Sequence, residues 1–312
     1  GSSPFPANPL TGYHIPKGKA SRPDPRREGF FTGKLAQLAL ALLAGLGLAL
    51  GSPAAAGELE GLVITVFDGD TVEIALDDGR VEKVRYLLVD SPELHHPTRK
   101  VEEFGLEAAI ANRALVLGKR VRLEMDIQQR DRYGRLLAYV WIDRPSGPAL
   151  ASEVMVEEGF ALPLTLPPNV RHAGRIHAAL VRARKEARGF WNAAAGRLFT
   201  PKQVWADLPL LAGVYLTLDI RADEVTRRGR RWIISEKGAP TRLVIYEDQA
   251  GLFGSVPALR GTRLRVIGKV QASFQGAEIV LADPAQVISA TREQKRRKRR
   301  LSTRLSTYPH KN

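Results

Sequence analysis

The chain of 312 residues contains no cysteine. That absence excludes a disulfide framework, a thiolate metal site, a cysteine nucleophile and a lipidated-cysteine anchor, and it leaves the redox compartment undetermined. Acidic side chains are also scarce: 33 Asp and Glu stand against 47 Lys and Arg, for a formal net charge of +14. Such an excess implies a polyanionic partner, nucleic acid or an anionic membrane surface, and charge alone does not separate the two. The stretch "LAQLALALLAGLGLALGSPAAAG", residues 35–57, carries no charge and follows a basic, Pro- and Gly-rich segment at 1–34 that is expected to be disordered. This order reads as a signal peptide with cleavage near Ala56, which would give a secreted, periplasmic or cell-surface protein. The alternative is an uncleaved N-terminal membrane anchor, because the run approaches the roughly 20 residues that span a bilayer.

Beyond it the pattern turns to short β-type runs. "LVITVF", "TVEIAL" and "VEKVRYLL" are separated by the turn signals "DGD" and "DDGR", then "VEEFGLEAAIANRALVLG" repeats its apolar residues at helical spacing, and "RVRLEMD" and "LLAYVWI" flank a turn at "RDRYGR". Three strands, a helix and two strands is the order of a five-stranded OB barrel. Two helices follow, the second rich in arginine and ending before Phe190 and Trp191. The expected organisation is mainly β with helices (α+β). It comprises a barrel domain at 61–192, a linker at 193–211, a second small OB-like barrel at 212–289 and a disordered basic tail at 290–312. In the second barrel, basic residues alternate along a strand, and Tyr215, Trp232 and Phe274 are candidates to stack on bases.

In so basic a chain the acids of "DGDT" and "VDSPE" stand out. Asp68 and Asp70 fall at the first hairpin and Asp90 and Glu93 after the third strand, two places that an antiparallel meander can bring to one end of a barrel. Either motif alone is ordinary turn chemistry. Together they offer hard oxygen ligands that suit Ca²⁺, and the lack of a His and Cys arrangement argues against zinc. Arg85 and Arg135 add two guanidiniums. A cation, two guanidiniums and a free carboxylate are the parts of phosphodiester hydrolysis: the arginines grip the phosphate, the metal polarises it and an acid activates water. Asp68 reads as a turn residue rather than a direct ligand, and the adjacent His95 and His96 as loop residues rather than a metal pair.

From Leu62 to Trp191 the chain resembles the staphylococcal nuclease (thermonuclease) family, through "DGDTV", "RYLLVDSPE", "VEEFGLEA", "DRYGRLLAYV", "EGFA" and a basic helix ending in Trp. The resemblance implies a calcium-dependent nuclease on an OB barrel that cleaves DNA, with RNA as an alternative substrate, by in-line attack of water to leave a 3′-phosphate. Carried over by position, Asp70 and Asp90 are the metal carboxylates, Ser91 offers its main-chain carbonyl, Glu93 is the general base, and Arg85 and Arg135 grip the phosphate. Arg132, Tyr133, Arg99 and Lys100 are the expected substrate contacts. The sequence departs from the family at Ser91, where Thr is usual, and at Leu164 and Leu166, where the nucleotide pocket carries two tyrosines. The rival expectation is a noncatalytic nucleic-acid-binding protein that uses two OB-type barrels.

Overall fold

The computed structural model describes residues 59–94 and 101–292. The apolar segment 35–57, the basic segments 1–34 and 293–312, His95, His96, Arg99 and Lys100 lie outside the described residues, and residues 290–292 of the expected disordered tail end the last strand instead. Among the described residues no helix is long and apolar enough to cross a membrane.

Period-two alternation builds the first barrel. Its strands are β1 (Leu59–Val66), β2 (Thr71–Leu76), β3 (Val81–Tyr86), then, after a short β4 (Leu88–Asp90), β5 (Arg120–Arg130) and β6 (Leu136–Ile142). Residues such as Val121, Leu123 and Met125 alternate inward along β5. The order is β3-β2-β1-β5-β6, and a parallel pairing of Val84 with Leu136 through Tyr86 with Ala138 closes the sheet on itself. This is the expected OB barrel. Helix α1 (Gly105–Val116) lies between β3 and β5 in the chain, and after a short β7 (Ala149–Leu150) come α2 (Ala151–Glu157), β8 (Leu162–Leu164) and α3 (Ala173–Lys185). The basic residues of α3 are partly spent at home: Arg175 pairs with Glu153 at 2.6 Å and Arg182 with Glu157 at 3.0 Å.

Two backbone features aim the acids. The run "VEKVRYLL", expected as one strand, breaks at Leu88, whose φ of 69° is left-handed and costs a non-glycine residue about 1–2 kcal/mol. The break lets β4 leave the barrel and pair with β8, Leu88 opposite Leu164 and Asp90 opposite Leu162. Gly69 lets the first hairpin close on this segment: a Cβ there would lie 2.7 Å from Ser91 Cβ and 2.9 Å from Ala108 Cβ.

The stretch 193–211, expected as a linker, is structured. Helix α4 (Phe190–Ala195), β9 (Leu198–Phe199), α5 (Pro201–Ala206) and α6 (Leu208–Leu211) run through it, α5 opened by a capping box of Thr200 with Gln203. Val204 is fully buried in the second core, with Phe199, Leu208 and Leu211 packed on it.

The second lobe has β10 (Tyr215–Arg221), β11 (Glu224–Arg228), β12 (Arg231–Ser235), β13 (Thr241–Tyr246), a short helix α7 (Glu247–Ala250), β14 (Thr262–Ser273), β15 (Gly276–Val280) and β16 (Val287–Arg292). Its order is β11-β12-β13-β15-β14-β10, with β13 and β15 parallel. Taken as one bent strand, β10 and β11 pair at one end with β14 and at the other with β12, which is the strand order of the first barrel repeated. Of the aromatics expected on its surface, only Phe274 is fully exposed. Tyr215 is buried instead, stacked on Phe190 at 4.4 Å and edge-on to Phe104 at 6.2 Å, so it belongs to the core of the first lobe. Trp232 is partly buried against the second core.

Candidate active site

Arg85, on the last turn of β3, is the centre of the site. Its side chain is only 13% exposed; Nε meets Asp70 Oδ1 at 3.0 Å and Nη2 meets Asp90 Oδ1 at 3.3 Å. Its Nη1 donates to the carbonyls of Tyr86 and Val89, so the turn that breaks the strand also fixes the guanidinium. Burial alone would lower the Arg85 pKa, and the neighbouring carboxylates, Asp70 first, more than offset that.

The buried Asp70 also accepts the Thr71 hydroxyl at 2.9 Å and the Ser91 main-chain N–H at 2.7 Å. Hairpin and third strand, distant in sequence, therefore meet through one carboxylate. Asp68 stays beside the site: its Oδ1 accepts the Asp70 N–H at 2.9 Å and its carbonyl accepts Asn112 Nδ2 at 2.8 Å. Burial and then repulsion by Asp70 raise Asp68 to about 7.

Asp90 keeps 51% of its side chain accessible, at the mouth of a crevice between the lobes. The protein mass around it raises its pKa, against the pull of Lys269 and Arg85. Glu93 is exposed, and its carboxyl is raised by partial burial and by Asp70 and Asp90. Four acids thus crowd a region where, among the described residues, Arg85 and Lys269 are the nearby cations, and three of the four are pushed toward the protonated form. A hard cation would relieve that repulsion. Among the described residues no three side chains of metal-binding type converge on one point. A bound ion would therefore be held by Asp70 and Asp90 and completed by main-chain oxygen and water, a hydrated mode that hard divalent ions adopt. Each carboxylate oxygen has two lone pairs, so the donors already on Asp70 leave room for it.

Arg135 follows the turn after β5. Its Nε pairs with Asp131 Oδ2 at 2.7 Å, and among the described residues its two terminal amino groups have no hydrogen-bond partner. Arg85 and Arg135 line one cavity together with Gln128, Leu164, Leu166 and Asn169. The two leucines thus form an apolar wall beside the guanidiniums. Tyr133 is 68% exposed, with the Arg132 guanidinium 4.8 Å and that of Arg135 5.5 Å from its ring centre. It stands outside the barrel core, free to meet a base or sugar.

Sequence reasoning missed two residues. Glu102 accepts the Glu93 main-chain N–H at 2.9 Å and, through the same oxygen, the ammonium of Lys269 on β14. Glu102 sits in a motif already singled out, but its role depends on a partner 167 positions away, for which no local signal exists.

Paired carboxylates and guanidiniums at the end of a closed OB barrel define a hydrolase of phosphodiesters, the nuclease class. The sequence profile of the family described as staphylococcal nuclease homologue matches residues 83–193. The thermonuclease of Staphylococcus hyicus is 38% identical over 130 residues, 42% of this chain and 74% of that protein. The thermonuclease of Staphylococcus intermedius is 37% identical over 131 residues, 42% of this chain and 75% of that protein. Endonuclease YncB of Bacillus subtilis (strain 168) is 35% identical over 127 residues, 40% of this chain and 58% of that protein. The chain belongs to the staphylococcal nuclease family and is a nuclease.

Proposed function

We propose that this protein is an exported, calcium-dependent endonuclease that hydrolyses DNA, with RNA as the second substrate to test. The observation that carries the reading is the meeting of Asp70 and Asp90 on one guanidinium, Arg85, which shares a cavity wall with Arg135. Asp70 and Asp90 would hold the cation, with the Ser91 carbonyl as a main-chain donor, and the ion would supply Lewis-acid polarisation of the phosphate. Arg135 presents its terminal amino groups to the same cavity and binds the phosphate oxygens as a fork. Arg85, locked by four acceptors, contributes positive charge without reorganising, the condition under which electrostatic stabilisation of a transition state is strongest. Glu93 accepts a proton from the attacking water, and partial burial favours its protonated form. Export is supported by the charge-free run at 35–57 and by calcium's greater availability outside cells.

The test is cleavage of single-stranded DNA, duplex DNA and RNA by the full chain, with calcium and with a chelator. Calcium-dependent cleavage that falls at least 100-fold in Glu93→Gln (about 10²–10⁴ for a general base) and is lost in Asp70→Ala supports the assignment. Binding without cleavage in calcium would favour the noncatalytic reading.

A further inference from the structure

We propose that the outer face of β12 and β13 in the second barrel is a track for single-stranded nucleic acid that runs into the catalytic cleft. The inference rests on the nuclease reading, and it adds a substrate-binding surface outside the first barrel.

The track can be followed residue by residue. It begins at the turn between β14 and β15, where the Phe274 side chain is fully exposed. That turn is held over the outer face of β13 by Arg242, whose guanidinium donates to the Gln275 side chain at 3.0 Å and to the Gln275 carbonyl. Glu278, opposite Arg242 on β15, pairs with both Arg242 and Arg231. Arg231 stands opposite Tyr246 in the β12–β13 register, and its guanidinium lies 5.7 Å from that ring. Tyr246 is 42% exposed and lines a crevice whose other walls are Lys269 and Gln271 of the second lobe and Asp90 and Leu164 of the first. From Arg242 to Tyr246 the strand rises about 13 Å. Val244, between Arg242 and Tyr246 on the same face, and Ile233 opposite it are buried, so Phe274 and Tyr246 are two separate aromatic stations, of which Tyr246 shares a crevice with Asp90.

The chemistry selects the occupant. Exposed aromatic rings interleaved with guanidiniums are the composition that holds unpaired bases and backbone phosphates. At the β11–β12 turn Arg228 is exposed, while the exposed Arg230 pairs with Asp248 at 2.7 Å. In an OB barrel the second and third strands and the adjoining turns are the usual oligonucleotide face, and here the end of the third strand, at Tyr246, lines the crevice beside Asp90. Stacking on Phe274 and Tyr246 requires bases free of a partner strand, so the track takes single strands in preference to duplex. Tyr246 ends strand β13, and the Arg242 hydrogen bonds to Gln275 hold the turn that carries Phe274, which limits the ordering cost of binding.

The test measures binding of a fluorescent 12-nucleotide oligothymidine to the full chain in chelator, so that cleavage does not interfere. OB folds engage about 4–16 nucleotides. Phe274→Ala and Tyr246→Ala are each expected to weaken binding about fivefold or more, while Leu210→Ala, which removes an exposed apolar side chain from α6, leaves affinity unchanged. Photocrosslinking of a bromodeoxyuridine oligomer should label the peptides that contain Phe274 and Tyr246. Affinities within twofold of the unaltered chain for both aromatic variants, or crosslinks confined to residues before 196, would overturn the track. A chain that binds through these residues yet never cleaves in calcium upholds the track and removes the nuclease reading. Cleavage with both variants unimpaired in binding does the reverse.

Discussion

At Glu124, on the outer edge of β5, three donors meet one carboxylate: Trp141 Nε1 at 2.7 Å, Arg171 at 2.6 Å and His172 at 2.9 Å. Burial opposes ionisation here, but the hydrogen bonds from Arg171, His172 and Trp141 outweigh it and hold the carboxyl down to about 2. The folded pKa is below the unfolded one, so this group stabilises the fold above the ordinary carboxylate range. That contribution is lost as pH falls from about 4.5 toward 2. Glu124→Gln is therefore expected to lower stability at pH 7 by about 1–3 kcal/mol. Urea unfolding at stepped pH should show the gap to the native protein closing through that acid window, and a gap independent of pH would refute the assignment. Glu93 behaves in the opposite sense. Only the part of its raised pKa that comes from burial persists once a cation sits on Asp70 and Asp90, and activity in calcium should rise with pH through a limb that Glu93→Gln abolishes.

The element that decides the site's precision is β14, because Lys269 reaches from it to Glu102, and Glu102 in turn holds the Glu93 main chain. Lys269 is only 9% exposed and Glu102 12%, so the pair is desolvated and loss of one partner strands the other. Lys269→Met should lower kcat by about tenfold or more while KM stays within about twofold, as expected for a positioning residue displaced by a fraction of an ångström. Lys269→Arg should restore most of kcat; equal losses in both variants without a change in folding would argue against positioning. This element also marks where the sequence stopped being legible. The strands of the first barrel followed from alternation and from turn residues such as Gly79, and the acids could be grouped because a meander returns hairpin and strand to one end. The left-handed turn at Leu88 carried no glycine to announce it, and the Lys269–Glu102 contact joins segments with no shared pattern. Tyr215 looked like a surface aromatic on its strand because burial there depends on Phe104 and Phe190, which come from the other lobe.

Across the whole molecule each lobe has its own core, and the first core extends across the seam into the second lobe. Tyr215, Ile267 and Ala285 of the second lobe lie in the same buried cluster as Phe190 and Trp191 of the first, and the Arg197–Glu103 pair at 2.6 Å and the His177–Asp283 contact at 2.8 Å reinforce that seam. Gln249 Nε2 also donates to the Thr165 carbonyl at 2.7 Å, tying α7 to the segment that carries Leu164 and Leu166. Independent domains joined by a linker would hide no aromatic cluster between them, whereas these lobes lose buried surface on both sides if either opens. The full chain is accordingly expected to unfold in a single calorimetric transition. Removing the Tyr215 ring tests the seam directly: Tyr215→Ala should cost about 3 kcal/mol, by analogy with other buried aromatic truncations. For a structure of this size that corresponds to a fall in Tm of roughly 6–12 °C for the whole transition. Two resolved transitions, with only one moved by the substitution, would show that the barrels fold separately. The Lys269 contact to the catalytic loop would then depend on docking rather than on folding.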